Sequence, residues 1–408
     1  MSKPTRSGLA RRTTTAIGWA TMLLSGISCG SDDTAAPNAS QPELATAPTA
    51  LQFGLVSTGY AHSCGITAEN LAYCWGSNEN GLYGDNTGAL GDGTTSSSLT
   101  PVPVARGLSF RGLGAGSGNT CGVTTDNRAY CWGNNGLGAL GDGTIIPRLT
   151  PVAVSGGLTF RTVNAGGGHT CGLTTNARAY CWGFNYYGQL GDGSSVAYSS
   201  RPVAVAGGHS FRQVVVGADQ SCGIVRSGAI FCWGNNQYGQ LGDGTKTNRR
   251  RPARVAGTHL FTNIAVGFRH TCAVTTGARA FCWGDNVSGQ LGDGTTLQRL
   301  RPRAVAGGLS IGRVTAGFRH TCAETTLNRA YCWGLNDRGQ LGDGTTTDRL
   351  KPAAVAARLF FSQLSTRAFH TCGRASSGTY CWGWNLFGQL GDGTTTDQVR
   401  PVPVSGPR

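Results

Sequence analysis

"GFRHTCAVTTGARAFCWGDNVSGQLGDGT" (Gly267–Thr295) is one of seven near-copies in this 408-residue chain. Each copy carries two cysteines, the first at Cys64, Cys121, Cys171, Cys222, Cys272, Cys322 and Cys372. The second follows at Cys74, Cys131, Cys181, Cys232, Cys282, Cys332 and Cys381. Copies recur every 50 or 51 residues, except that "SNENGLYGDNTGAL" (Ser77–Leu90) lengthens the first loop. A period near fifty residues belongs to a propeller blade or a solenoid coil, so the repeat must be read before any single residue in it.

Within one unit, "FTNIAVG", "HTCAVTT", "AFCWG" and "RPRAVAG" are short runs rich in Val, Ile, Phe, Cys and Trp, bounded by Gly, Asn and Asp clusters. Such runs are strands, and no helical period competes with them. The expected fold is all-β: a seven-bladed β-propeller with four short antiparallel strands per blade, spanning residues 51–406. An open β-solenoid is the runner-up, but it requires atypical capping ends that the sequence does not show. Ring closure stays open; one route pairs a strand near Leu51 with "PVPVSG" (Pro401–Gly406) inside one blade.

The motifs "WGxNxxGQLG" and "GDGT", carried by Trp182–Gly193, Trp233–Thr245, Trp283–Thr295, Trp333–Thr345 and Trp382–Thr394, resemble the repeat of the regulator of chromosome condensation family. The resemblance covers about Leu51 to Gly406 and implies a seven-bladed propeller. The paired cysteines are not general in that family and resemble those of exported bacterial versions. The resemblance implies a binding scaffold more often than an enzyme, and its shared motif carries no contact residues over to this chain.

Cys272 and Cys282 flank a turn centred on Gly277, so they face each other across a hairpin. Opposed Cβ atoms roughly 4.5–5.5 Å apart suit a disulfide. Closing so short a loop is worth about 2.5–3 kcal/mol in the chain-entropy picture, as an upper bound. The last pair, Cys372 and Cys381, is nine apart and needs a turn one residue shorter. A zinc site with the histidine two before the first cysteine is the sharper alternative. Against it, that slot holds His62, His169, His270, His320 and His370 but Asn119 and Gln220 in two units. Those two are poor zinc ligands and good hydrogen-bonders, so the slot reads as a side chain satisfying its local turn, and no metal is expected. The lone aspartate of "GDGT" (Asp92, Asp142, Asp192, Asp243, Asp293, Asp343, Asp392) reads as an Asx turn, since calcium needs several converging carboxylates. The tryptophan after the second cysteine points away from the disulfide and reads as packing between blades.

No nucleophile elbow, Walker loop or pair of catalytic carboxylates occurs, so the reading is non-catalytic, with no cofactor. The formal charge is +14 with only 13% charged residues, and 65 glycines reflect many tight turns. A basic start and the apolar run "AIGWATMLLSGISC" (Ala16–Cys29) resemble a secretory signal. Cys29 directly after small residues resembles a bacterial lipoprotein cleavage site, making Cys29 the expected lipidation point. "GSDDTAAPNASQPELATAPTA" (Gly30–Ala50) then reads as a flexible tether. Export to the bacterial cell envelope or surface follows, and fourteen paired cysteines suit an oxidising compartment.

Repeats allow an internal comparison: slots filled alike in all units belong to the frame, and variable slots are free for recognition. One variable set is the loop after the tryptophan, with Phe184, Tyr186, Tyr187, Tyr238, Trp384 and Phe387. The other precedes the proline of the last strand: Arg201, Arg251, Arg301, Lys351 and Arg400, against Thr100 and Thr150 in the first two units, with Arg249, Arg250, Arg299 and Arg349 beside them. Rotation of equivalent slots places these cations on an arc over the later blades. The sequence therefore reads as an exported, lipid-anchored monomer whose loops bind a protein partner. The alternative is an anionic glycan; nucleic acid is not expected, and membrane contact is through the lipid alone. Guanine-nucleotide exchange, which the family resemblance suggests, conflicts with the export features.

Overall fold

The computed structural model describes residues 52–78 and 87–406. The signal, Cys29, the tether and most of the first-loop insertion lie outside the described residues. Seven sheets of four strands each follow one another along the chain. In blade 5 the strands are Phe261–Val266, His270–Thr275, Ala280–Gly284 and Arg299–Ala304, paired antiparallel in sequence order. The first strand of every blade lines a central channel, and the fourth is outermost. No helix among the described residues is long and apolar enough to cross a membrane.

All seven cysteine pairs are disulfides between directly opposed residues of the second and third strands. In blade 7 the hairpin closes tightly at Ala375↔Gly378, which absorbs the missing residue and keeps Cys372 opposite Cys381.

Alternation along the third strand puts Cys282 on one face and Trp283 on the other. The cores therefore lie between blades rather than within them. Cys222, Cys232, Ile224 and Leu241 of blade 4 pack against Phe261, Ile264 and Trp283 of blade 5. A single carbonyl fixes the fit: Gln240 O accepts Trp283 Nε1 at 3.0 Å and Thr271 Oγ1 at 2.8 Å. The same pair of bonds recurs at all seven seams, on the carbonyls of Ala89, Ala139, Gln189, Gln240, Gln290, Gln340 and Gln389.

The last of these is the ring closure, and it corrects the strand-exchange route. Pro401–Pro403 ends the fourth strand of blade 7, while the strand from Phe53 belongs wholly to blade 1. Trp75 Nε1 and Ser63 Oγ reach Gln389 O, as in the other six seams. A side-chain seam repeated seven times leaves no work for a shared blade. The closed ring likewise overturns the solenoid alternative.

Around the channel, side chains tie blades to their neighbours at six of the seven junctions. Asn164 donates to Val214 O, Gln213 to Ile264 O and Gln363 to Val56 O. Val314 N–H donates to Asn263 Oδ1, and Ala115 N–H to Ser57 Oγ. Glu324 adds a further tie, accepting the Leu364 N–H. Burial pushes its carboxyl up to about 7, against the opposing pull of that N–H and of Arg313.

Candidate functional site

The frame residues resolve first. His62, His169, His270, His320 and His370 each place Nε2 within 3.1 Å of a hydroxyl on the next blade: Thr120, Ser221, Thr321, Thr371 and Ser63. Each of those hydroxyls donates its one hydrogen to the seam carbonyl, so the histidine must donate through Nε2–H. Burial, helped by Arg367 or neighbouring histidines at some sites, lowers their pKa to about 3, or about 4 for His62. These are links between blades, not the local turn-binders the sequence suggested. Gln220 does the same work by donating to Gly267 O across the seam.

The "GDGT" aspartates form the expected turns, each accepting the N–H two residues on. The buried asparagine of "WGxN" braces the loop: its Oδ1 takes the leucine N–H of "QLG" or "ALG" in every blade. In blade 1 the same bond joins Asn78 to Leu90, twelve residues on instead of five, so the brace survives the longer loop. Four aspartates also hold an arginine: Asp142 with Arg148, Asp243 with Arg249, Asp293 with Arg299 and Asp343 with Arg349. Burial raises the pKa of Asp293, but bonds from Thr295 and Arg299 outweigh it and hold the carboxyl below its usual range. Arg249, Arg299 and Arg349 are therefore braces and drop out of the cationic arc.

The remaining cations stay. Arg201, Arg251, Arg301, Lys351 and Arg400 are exposed on the outermost strands of blades 3 to 7, and among the described residues none is ion-paired. Each lies over the "GDG" loop of the preceding blade; a Cβ on Gly193 would meet Arg251 Nε at 2.6 Å.

The loop aromatics divide. Tyr186 is 65% exposed and stands in a cluster with Phe184 and Tyr187, which are half-buried. Tyr238 is covered by the Arg269 guanidinium, 4.4 Å from its ring centre. Trp384 and Phe387 are half-buried and meet edge to face at 5.4 Å.

Sequence reasoning missed the better-organised feature. The loops from first to second strand ring the channel mouth, on the same face as the long "GDGT" loops. Phe268 and Phe318 lie 4.4 Å apart, Phe318 and Phe369 4.8 Å. Phe369 meets Trp384 at 5.9 Å and Tyr60 at 6.5 Å, and Tyr60 meets Trp384 at 6.2 Å. Arg269 and Arg319 sit over Phe268 and Phe318. This half-exposed aromatic arc covers blades 5, 6, 7 and 1. Blades 2 to 4 answer with Ser117, Gly167 and Ala218 in the same slots. A groove of about 590 Å³ runs beside Tyr60, Phe369, Trp384 and Asp397. Comparing "GYA", "GSG", "GGG", "GAD", "GFR", "GFR" and "RAF" across units would have exposed the asymmetry.

Comparison with known proteins agrees with this architecture. The model of the RCC1-like domain matches residues 82–408, and that of the regulator of chromosome condensation (RCC1) repeat matches residues 55–82. Among solved structures, human WBSCR16 is similar at 22% identity and TM-score 0.71, covering 80% of this chain and 87% of that one. Prp20p from Saccharomyces cerevisiae, described with its binding to Gsp1p and histones, is 20% identical with TM-score 0.68, covering 77% and 80%. The CRINKLY WD40 ectodomain of the Arabidopsis thaliana receptor kinase ACR4 is 20% identical with TM-score 0.51, covering 81% and 97%. With four-fifths of its length matched by the family model and seven copies of the repeat closed into a ring, this chain belongs to the RCC1-like family.

Proposed function

We propose that this protein is an exported, monomeric, non-catalytic interaction scaffold that grips a protein partner with the aromatic half of its loop face. The observation that carries this reading is the arc of Tyr60, Phe268, Phe318, Phe369 and Trp384 in a frame that is otherwise sevenfold alike. Aromatic and arginine side chains at the centre of a face are the usual anchors of protein interfaces, because they lose much water for little rotamer entropy. The free cations of the outer strands would speed capture of an acidic partner. Seven disulfides support an oxidising compartment. Delivery through the basic, apolar N-terminus and anchoring at Cys29 complete the reading. Prp20p, similar in fold, binds the proteins Gsp1p and histones.

Glycan binding is the second reading, favoured by the groove that Trp384 lines together with Asp397, Thr395 and Thr396. The disulfides and export features set guanine-nucleotide exchange behind both. The test is capture of envelope or surface proteins by the purified ring, alongside a glycan array. Phe318→Ser with Trp384→Ser should abolish capture while the fold survives; undiminished capture by that variant would refute the arc as anchor. Array binding lost with Trp384→Ser alone, without protein capture, would select the glycan reading.

A further inference from the structure

Six of the seven loops at the channel mouth begin with glycine: Gly59, Gly116, Gly166, Gly217, Gly267 and Gly317. The reason is close approach. A Cβ on Gly267 would lie 2.5 Å from His270 Cε1 and 2.6 Å from Gly317 O. In blade 7 that slot holds Arg367, and the local backbone departs from the repeat. Phe268 N–H donates to the slot residue of the next blade, Gly317, whereas Phe318 N–H donates to Ala368 O, one residue beyond the slot.

The side chain of Arg367 runs across the ring. Its Nη2 reaches Gly217 O on blade 4 at 3.4 Å, a carbonyl that already accepts Gly167 N–H. Among the described residues this is the guanidinium's one acceptor, and no carboxylate pairs with it. Burial lowers its pKa to about 10, so it remains a cation at neutral pH. It lines a channel cavity of about 940 Å³ that also meets Arg313, Asp219 and Glu324. Burial pushes the Asp219 carboxyl up, against the opposing pull of the Arg269 charge, and Glu324 is occupied by Leu364 N–H.

Six blades build the same frame without this arginine, so the frame does not require it. A guanidinium offers five N–H donors, and a half-buried one with most of them unused attracts an acceptor of matching charge. We propose that the channel of this ring is a binding site for a small oxyanion, a carboxylate or phosphate group held by the Arg367 guanidinium. The cavity accommodates a metabolite-sized molecule carrying that group, and the aromatic arc at the mouth would cover its apolar remainder.

Inorganic phosphate and succinate, titrated separately into the full chain at constant ionic strength, distinguish the two oxyanion types by calorimetry and thermal unfolding. Saturable binding of one probe, close to one site per chain, is the expected result. Arg367→Gln should weaken it about ten- to hundredfold, as loss of a charged hydrogen bond does, and Arg367→Lys should weaken it less. The rim variant Arg251→Gln/Arg301→Gln should bind as the parent does. Absence of saturable binding to either probe overturns the site. So does unchanged binding by both Arg367 variants, or an equal loss in the rim variant.

Discussion

The seam between blades and the loop face above it are made from the same fifty residues, yet they obey opposite rules. At the seam, every blade repeats the same carbonyl, indole, hydroxyl and disulfide, including where the first blade meets the last. On the loop face, equivalent slots hold Tyr60, Ser117, Gly167, Ala218, Phe268 and Phe318. A ring must close, so an error in one seam would be carried to its neighbours. A loop tip answers to no such sum, and its residues drift freely or are chosen for a partner. Sameness marks the frame, and difference marks the surface available for recognition.

The comparison breaks first at the tryptophans. Trp333→Ala empties a fully buried site and removes one of the two donors to Gln290 O, and should cost about 3–5 kcal/mol in guanidinium unfolding. Trp75→Ala, at the closing seam, should cost the same within about 0.5 kcal/mol; a much smaller loss would mean that closure rests on something else. Acid attacks all five histidine seams together. Their folded pKa values lie near 3 to 4, below the ordinary 6.5, so the unfolded chain binds more protons between those limits. Stability is full above about pH 6.5 and falls toward pH 3, by up to about 1.4 kcal/mol per unit for each histidine. Glu324 runs the other way. Its folded pKa near 7 exceeds the ordinary 4.5, so its stabilisation fades as pH rises from 4.5 to 7. Glu324→Gln keeps an acceptor for Leu364 N–H and should raise the unfolding midpoint at pH 8 but not at pH 4. Converting Cys272 and Cys282 together to alanine should cost at most about 2.5–3 kcal/mol, equally in any blade.

The period, the hairpin cysteines and the strand rhythm made the propeller legible because each is local to one repeat. What joins repeats was less so. Trp283 and its acceptor Gln240 stand 43 residues apart, and nothing in either unit alone pairs them. The histidines were assigned to their own turns because sequence shows the neighbour along the chain, not the neighbour across the seam. The cationic arc was over-counted for the same reason: Arg299 and Arg301 look alike in the sequence, but only Arg299 faces Asp293. Arg367 and the aromatic mouth are readable by comparing units at a slot that holds glycine in six of them.

That pair of arginines gives the finest test of frame against surface, since two residues of one strand separate the roles. Arg299 donates through Nε to Asp293 Oδ2 at 2.8 Å, and the aspartate side chain is only 2% exposed. Removing the guanidinium leaves that carboxylate with its turn bonds and less compensating charge, which should cost about 1–2 kcal/mol. Glutamine is the fair replacement, because blade 7 already has Gln398 in this slot, with Nε2 3.5 Å from Asp392 Oδ2. Arg301 lies in solvent over the Gly244 loop with no carboxylate partner, so Arg301→Gln should change stability by less than about 0.5 kcal/mol. Partner capture should respond in the reverse order, with Arg301→Gln slowing association at low salt and Arg299→Gln leaving it intact. Equal effects of the two substitutions on unfolding would erase the distinction between braced and free cations on this rim.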